Sequence, residues 1–146
     1  MFGKQTEAAI AAMSRLAEVY DDGKTRLSAA DIADARGLQR PRVAKMLSVL
    51  SQAGLVVGAP GPGGGFALAR HPRDIPFNAV FVLFERQTDS RICPFGGGRC
   101  GEGEACPLHD ALHAVHAAMD HFLHDTTFEE FRAAYQDRGW RPGMEG

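Results

Sequence analysis

The order of helix, turn and glycine signals between residues 28 and 68 constrains the fold of this chain most. Ser28 begins a Ser-Ala-Ala-Asp segment, in which a hydroxyl at the helix start and an acidic residue three positions later form a capping box. Gly37 then tolerates the left-handed conformation that ends many helices. A second helix starts near Pro41, because proline is tolerated in a first helical turn. Two short helices joined by a tight turn predict a helix-turn-helix.

A glycine-rich hairpin is predicted directly after these two helices. Apolar residues at 55–57 and 66–68 flank the segment Gly61-Pro62-Gly63-Gly64-Gly65, which is typical of a strand, a tight loop and a returning strand. Apolar residues at three- and four-residue spacings over 7–20 predict one more helix in front. The predicted fold class is therefore mostly α with a small β-hairpin wing, and residues 1–77 form a winged helix-turn-helix domain.

Positive charge lies where such a domain meets DNA. Residues 1–77 carry 10 Lys and Arg against 7 Asp and Glu, whereas residues 78–146 carry 6 against 11. The second helix of the motif enters a major groove, where arginine can pair with guanine through two hydrogen bonds. Glycine amides can approach a phosphate closely. We therefore expect double-stranded DNA as the partner, with the following DNA-binding residues: Ser28, Gln39, Arg40, Arg42, Lys45, Gly63, Gly64 and Gly65.

All three cysteines of the chain lie within 14 residues of glycine-rich sequence, here called the cysteine segment (residues 93–106). An odd number argues against a disulfide framework, and the crowding of Cys93, Cys100 and Cys106 indicates a shared ligand. With His109 the spacing is C-x6-C-x5-C-x2-H, which lacks the short C-x2–4-C knuckle of structural zinc sites. The spacing favours an iron–sulfur cluster over zinc and leaves zinc open.

A long helix is predicted from Pro107 to about His124. Five apolar residues in it are spaced four, three, four and three apart, which is the pattern of a helix that packs on a partner helix: Leu108, Leu112, Val115, Met119 and Phe122. We expect a homodimer, whose two-fold symmetry would match a palindromic operator. Three histidines share one face of this helix in a pattern that can bind zinc or copper: His109, His113 and His116. For His113 and His116, solvated side chains are the simpler expectation.

The remaining segments of the second half give weaker predictions. Residues 75–84 are almost all apolar, which fits a buried strand or a short buried helix equally well. Thr127 and Glu130 predict a capping box at the start of a terminal helix. We expect residues 78–137 to hold the cluster-binding loop and the dimerisation helices, and residues 138–146 to form a flexible tail.

The chain resembles the bacterial iron–sulfur winged-helix transcriptional regulators of the Rrf family, which includes IscR and NsrR. The resemblance depends on the stretch Gly61–Arg70, on three cysteines before a long helix, and on Thr127-Phe128. It implies a dimeric regulator whose DNA affinity depends on a cluster held by Cys93, Cys100 and Cys106. As fourth ligand it implies Glu7 from the other subunit or, close behind, His109. A four-iron cluster is favoured over a two-iron cluster.

Several functional classes are excluded or disfavoured by the sequence. The chain has no long apolar stretch for a membrane span and no secretion leader, so we expect a cytoplasmic protein without membrane contact. The glycines lack the lysine of a nucleotide-binding P-loop, and no C-x-x-C pair is present for dithiol exchange, so we expect no enzyme. The predicted function is a DNA-binding regulator, and the resemblance implies a repressor, that senses nitric oxide, redox state or iron–sulfur status. The alternative is a zinc-bound or cluster-free protein that responds to thiol oxidation.

Overall fold

The computed structural model of the chain describes residues 2–85, 93, 99–100 and 104–142. Within these residues the fold is mostly helical with one antiparallel two-stranded sheet, as predicted. A short 3-10 turn follows the sheet. In chain order the elements are α1 (Lys4–Glu18), α2 (Ala29–Arg36), α3 (Arg40–Gln52), β1 (Val56–Ala59), β2 (Gly65–Leu68), the 3-10 turn (Pro72–Asp74), α4 (Phe77–Phe84), α5 (His109–Asp125) and α6 (Glu129–Arg138).

The helix-turn-helix forms from the local signals that predicted it. The Ser28 hydroxyl accepts a hydrogen bond from the Asp31 amide at 3.0 Å, and the Asp31 carboxylate accepts one from the Ser28 amide at 3.1 Å. This reciprocal capping box satisfies two amides at the start of α2. Gly37 ends α2 in the left-handed conformation with φ 63°. Pro41 lies in the first turn of α3, so each predicted boundary signal is confirmed.

The wing is a hairpin in which Val56 pairs with Leu68 and Ala59 pairs with Gly65. A single bridge between Leu27 and Phe66 adds the chain before α2 to the edge of β2. The amide of Phe66 donates to the Leu27 carbonyl at 2.7 Å, and the Leu27 amide donates back at 3.0 Å. The wing is therefore attached to the beginning of the helix-turn-helix as well as to its end.

The apolar run at 75–84 resolves into a helix, α4. A strand-like pairing immediately before it connects distant parts of the chain: the Phe77 amide donates to the Thr126 carbonyl at 3.0 Å, and the Phe128 amide donates to the Ile75 carbonyl at 3.2 Å. Phe77 and Val80 are buried at i and i+3, which places one face of α4 on the core. The backbone pairing between the two segments, called here the 76/127 clamp, therefore fixes where α4 begins.

Two predicted boundaries in the second half are wrong. Helix α5 begins at His109, two residues after Pro107, because the His109 amide first closes a tight turn on the Cys106 carbonyl at 3.0 Å. The capping box of Thr127 and Glu130 does not form: α6 begins at Glu129, its N-cap is Phe128, and no side chain caps it. The backbone of Thr127 is instead engaged in the 76/127 clamp.

One buried core contains residues from both halves of the chain, with α1 at its centre. α1 contributes Ala9, Met13 and Leu16, while Leu123 of α5 and Phe128 before α6 complete the other side. α5 adds little else to this core, and most of its surface is exposed. None of the helices in the described part combines the length and hydropathy that a membrane span needs.

A charged network is buried between α1 and α2. Glu18 accepts hydrogen bonds from Arg36 and from Arg15, the latter at 2.9 Å, and its side chain is 0% exposed. Arg36, with 4% of its side chain exposed, also donates to the Ser14 hydroxyl from Nε at 3.2 Å and from Nη2 at 3.1 Å. A buried carboxylate is tolerated because cations and hydrogen bonds surround it. The network fixes the end of α2 against the end of α1.

Candidate functional site

The side of α3 that would meet DNA lies opposite the side that is buried in the core. Its core-facing residues are Val43, Met46, Leu47 and Leu50, all at most 1% exposed. Helical periodicity then leaves the opposite side in solvent. The four predicted contact residues at the start of α3 are all exposed there: Gln39, Arg40, Arg42 and Lys45.

Arg40 is not free on this face, because Asp34 of α2 holds its guanidinium. Nε donates to Oδ1 at 3.2 Å and Nη2 donates to Oδ2 at 2.9 Å, a two-bond contact between side chains that are 63% and 61% exposed. The hydrogen bonds that Arg40 donates to Asp34 raise the pKa of Arg40 above its ordinary value. No sequence pattern indicates this role of Asp34, since the contact crosses from one helix to the next.

Ser28 lies exposed at the other helix start of the motif. Its hydroxyl oxygen is used in the capping box, where it accepts a hydrogen bond from the Asp31 amide. The hydrogen bonds from Ser28 lower the pKa of Asp31, so that carboxylate stays ionised beside the predicted phosphate contact. Ser28 therefore has a structural role at the start of α2, and its contact with DNA stays a prediction.

The three wing glycines have different local reasons to be glycine. A Cβ at Gly64 would lie 2.2 Å from the Ala59 carbonyl oxygen, and one at Gly65 would lie 2.8 Å from the Leu27 backbone. Gly63 has φ 74° with open space around it. The backbone packing of the wing thus accounts for Gly64 and Gly65, whereas Gly63 is exposed and its amide can be approached from solvent.

No disulfide joins the three cysteines among the described residues. Cys93 is buried, and Cys100 and Cys106 are partly exposed. The Sγ of Cys100 lies 3.1 Å from Nδ1 of His109, in the first turn of α5. Cys100, His109 and His113 each offer one atom that can bind a metal, and these three atoms lie within 4.8 Å of one another. Among the described residues, neither Cys93 nor Cys106 belongs to this group.

The cysteine sulfurs and the His109 nitrogen are kinds of ligand that iron–sulfur clusters use. Thiolates are the usual ligands of such clusters, and a histidine can take the place of a cysteine. The contact between Cys100 and His109 brings a sulfur and an imidazole nitrogen together without any disulfide among the described cysteines. Most other residues of the cysteine segment lie outside the described residues, and so does much of the loop that we expected to surround a cofactor.

Glu7, the other predicted fourth ligand, lies on α1. Its side chain is exposed, and it lines a shallow groove of about 330 Å³ together with Ile10, Arg36 and Phe131 among others. It is not part of the group formed by Cys100 and the two histidines. Of the two predicted fourth ligands, His109 is the one that lies beside a cysteine of the same chain.

A second residue that the sequence analysis missed is Glu85, at the end of α4 and just before the cysteine segment. Its Oε1 accepts hydrogen bonds from the Gly3 amide at 2.7 Å and from the Thr6 hydroxyl at 2.6 Å. These bonds lower the pKa of Glu85. The carboxylate thus connects the chain leading to Cys93 with the first turn of α1, a contact between residues 82 and 79 positions apart that no local pattern could indicate.

Comparison with known proteins agrees with this architecture. The model of the family "Rrf2: Iron-dependent Transcriptional regulator" matches residues 2–134. The transcriptional regulator IscR of Photobacterium profundum is 31% identical over 122 residues, covering 84% of this chain and 69% of the relative. IscR of Vibrio atlanticus is 30% identical over 107 residues, and the match spans 61% of its length.

Solved structures show the same fold. The structure of T. potens IscR superposes with a TM-score of 0.71 at 22% identity and covers 100% of this chain and 93% of its own. CymR, the global cysteine regulator of B. subtilis, gives a TM-score of 0.72 at 22% identity, covering 91% of this chain and 96% of its own.

The winged helix-turn-helix with an exposed cationic α3, in a chain that the model of an iron-dependent transcriptional regulator family matches, defines a DNA-binding transcriptional regulator. Because the family model covers nearly the whole described chain, the protein belongs to the Rrf2 family of transcriptional regulators. The resemblance seen in the sequence is thereby confirmed.

Proposed function

We propose that the protein is a cytoplasmic, homodimeric repressor whose affinity for DNA depends on an iron–sulfur cluster held by Cys93, Cys100 and Cys106. The observation that carries this proposal is the 3.1 Å contact between the Cys100 sulfur and His109, at the start of a long helix in an Rrf2-family regulator. When bound, the cluster would supply a redox-active and nitric-oxide-reactive centre. The signal would be nitric oxide, redox state or iron–sulfur supply.

His109 is our choice for the fourth ligand. Its Nδ1 faces Cys100, and as the first residue of α5 it is held by the turn that its amide closes on Cys106. Glu7 from the partner subunit is the alternative, which its exposed position on α1 permits. An imidazole or carboxylate exchanges more readily than a thiolate, so either residue would leave one iron accessible to a reactant.

Dimerisation would use the exposed apolar stripe of α5. Leu108 is 48% exposed, Val115 59% and Phe122 38%. A regularly spaced row of exposed apolar side chains is typical of a surface that binds a partner. A groove of about 390 Å³ runs along the same stripe between Val115 and Phe122. Packing of two α5 helices about a two-fold axis would cover the stripe and present two α3 helices to a palindromic operator.

Helix α1 offers a physical connection between the cofactor and the DNA-binding face. At its start, Thr6 holds Glu85, which leads into the cysteine segment. At its end, Glu18 holds Arg36 of α2. A shift of Glu85 that accompanies cluster loss would therefore move α1, and with it α2 and α3 relative to their half-sites. Such a switch requires different DNA contacts in the two states.

The proposal is tested by purification without oxygen. We expect brown protein containing iron and sulfide, whose visible absorption is lost in Cys93→Ala, Cys100→Ala and Cys106→Ala. The numbers of iron and sulfide ions per chain, about four of each or about two of each, distinguish the favoured four-iron cluster from a two-iron cluster. Colourless protein with stoichiometric zinc, or equal DNA affinity of cluster-loaded and cluster-free protein, would contradict the proposal.

The DNA-binding face is tested separately with Arg42→Ala. Arg42 is exposed and, unlike Arg40, has no acidic partner among the described residues. We expect weaker binding to operator DNA and a salt-dependence slope that falls by about one unit, because one phosphate contact is lost. Gln52→Ala, at the far end of α3, is the matched control and should bind like the wild type. Unchanged binding by Arg42→Ala would remove Arg42 from the interface.

A further inference from the structure

His113 carries an imidazole that the proposed cluster does not use. It follows His109 by one helical turn on α5, and the two rings lie with their centroids 4.4 Å apart. Donor atoms of His109, His113 and Cys100 lie mutually within 4.8 Å. The structure thus brings together one sulfur and two imidazole nitrogens, and this group includes only one of the three proposed cysteine ligands of the cluster.

This donor set suits a single ion of the zinc class. Zinc binds sulfur at about 2.3 Å and histidine nitrogen at about 2.0–2.1 Å, so the donors around one tetrahedral ion lie roughly 3.3–3.6 Å apart. The gap between Cys100 and His109 is already 3.1 Å. Two histidines four residues apart on a helix present their rings to the same ion. His113 is exposed, so its ring can turn toward an ion without disturbing the core.

We propose that the cluster-free protein binds one divalent ion of the zinc class through Cys100, His109 and His113, with a water molecule at the fourth position. The Cys100 thiol loses its proton to solvent as its sulfur binds the ion. This site goes beyond the proposed function, and it shares Cys100 and His109 with the ligands that we propose for the cluster. Ion binding and cluster loading would therefore exclude each other.

The first test is a titration of the full-length, cluster-free protein with Co²⁺, which replaces Zn²⁺ in such sites and has visible absorption. We expect one Co²⁺ per chain, tetrahedral d–d bands and a sulfur-to-cobalt charge-transfer band, all abolished by added Zn²⁺. Cys100→Ser should remove the charge-transfer band. Binding that survives in Cys100→Ser with its sulfur band intact would assign the ion to another cysteine and overturn the proposal.

The decisive comparison is between two exposed histidines of the same helix. His113→Ala should weaken Co²⁺ binding by at least about 10-fold, since loss of a direct ligand costs no less than loss of its supporting contacts. His116→Ala, which lies outside the group, should bind as the wild type does. Equal binding by wild type and His113→Ala, or equal losses in both variants, would refute the site. Circular dichroism spectra of both variants should match the wild type, because both side chains are in solvent.

This experiment separates the metal site from the proposed regulator function. Failure of the wild type to load an iron–sulfur cluster would refute the cluster and leave the Co²⁺ result standing, since the titration uses cluster-free protein. In the wild type, prior addition of one equivalent of Zn²⁺ should prevent cluster reconstitution, and His113→Ala should relieve that inhibition. Reconstitution that proceeds equally fast with Zn²⁺ present would contradict the shared use of Cys100 and His109.

Discussion

The buried ion pair between Glu18 and Arg36 predicts a large loss of stability when one of its two charges is removed. Replacing Glu18 by Gln keeps the shape of the side chain and removes its charge. Arg36, 4% exposed, would then remain buried with the Ser14 hydroxyl and a neutral amide as its partners. Removing one member of a buried ion pair costs about 3–5 kcal/mol, because the remaining charge has lost its compensation.

We expect Glu18→Gln to lower the free energy of unfolding of the cluster-free protein by that amount. For a chain of this size the melting temperature should fall by roughly 9–20 °C. The assay is urea and thermal unfolding followed by circular dichroism. All variants must be compared at one protein concentration, since association would contribute to apparent stability.

The chain supplies its own matched control for this experiment. Asp34→Asn removes a carboxylate from the pair with Arg40, in which both side chains are more than 60% exposed. Exposed ion pairs contribute little to stability, so this variant should unfold nearly as the wild type does. If both variants lost the same small amount of stability, the assignment of a buried, compensated charge at Glu18 would be wrong.

Two further predictions concern DNA affinity and pH. Asp34→Asn frees Arg40 and removes a negative charge from the DNA-binding face, so operator affinity measured by fluorescence anisotropy at low salt should rise by about fivefold; unchanged affinity would mean that Arg40 stays away from the phosphates. The hydrogen bond from Thr6 lowers the pKa of Glu85 in the folded state below its unfolded value of about 4.3, so the stabilisation is present above that pH and is lost as pH falls through the folded pKa. Glu85→Gln should therefore melt earlier than the wild type at pH 7 and lose less of its melting temperature between about pH 5 and 3, whereas parallel melting curves would contradict the contact.

The winged helix-turn-helix could be predicted because its boundaries depend on short-range chemistry. The capping box of Ser28, the left-handed Gly37 and the proline at the start of α3 each act within one helical turn. The buried face of α3 follows from the helical spacing of its apolar residues, and the cationic residues lie on the opposite face. These predictions needed no knowledge of distant residues.

The second half was harder to predict because tertiary contacts override its local signals. Thr127 looks like a helix cap, yet its backbone pairs with Pro76, and the helix begins two residues later. The apolar run at 75–84 has no period of its own, and α4 is fixed where the 76/127 clamp ends. The partners of Arg40 and Glu85 come from other elements, so no spacing rule reveals them.

The candidate site divides in the same way. The crowding of the cysteines and the placement of His109 three residues after the last one were visible in the sequence, and Cys100 does meet His109. His113 was expected to be solvated, and it is exposed, but only the structure shows its ring beside that of His109. The cysteine ligands, the fourth ligand and the DNA contacts stay predictions.

The 76/127 clamp has a consequence for how such a regulator can diverge. The chain leaves the clamp at α4, passes through the cysteine segment and α5, and returns to the same point, so the excursion has its two ends joined by backbone hydrogen bonds. Lengthening or shortening a closed excursion costs little in chain entropy. Insertions and deletions there would leave both anchor points in place, so the cysteine segment and α5 can change in evolution while the winged helix-turn-helix is inherited unchanged.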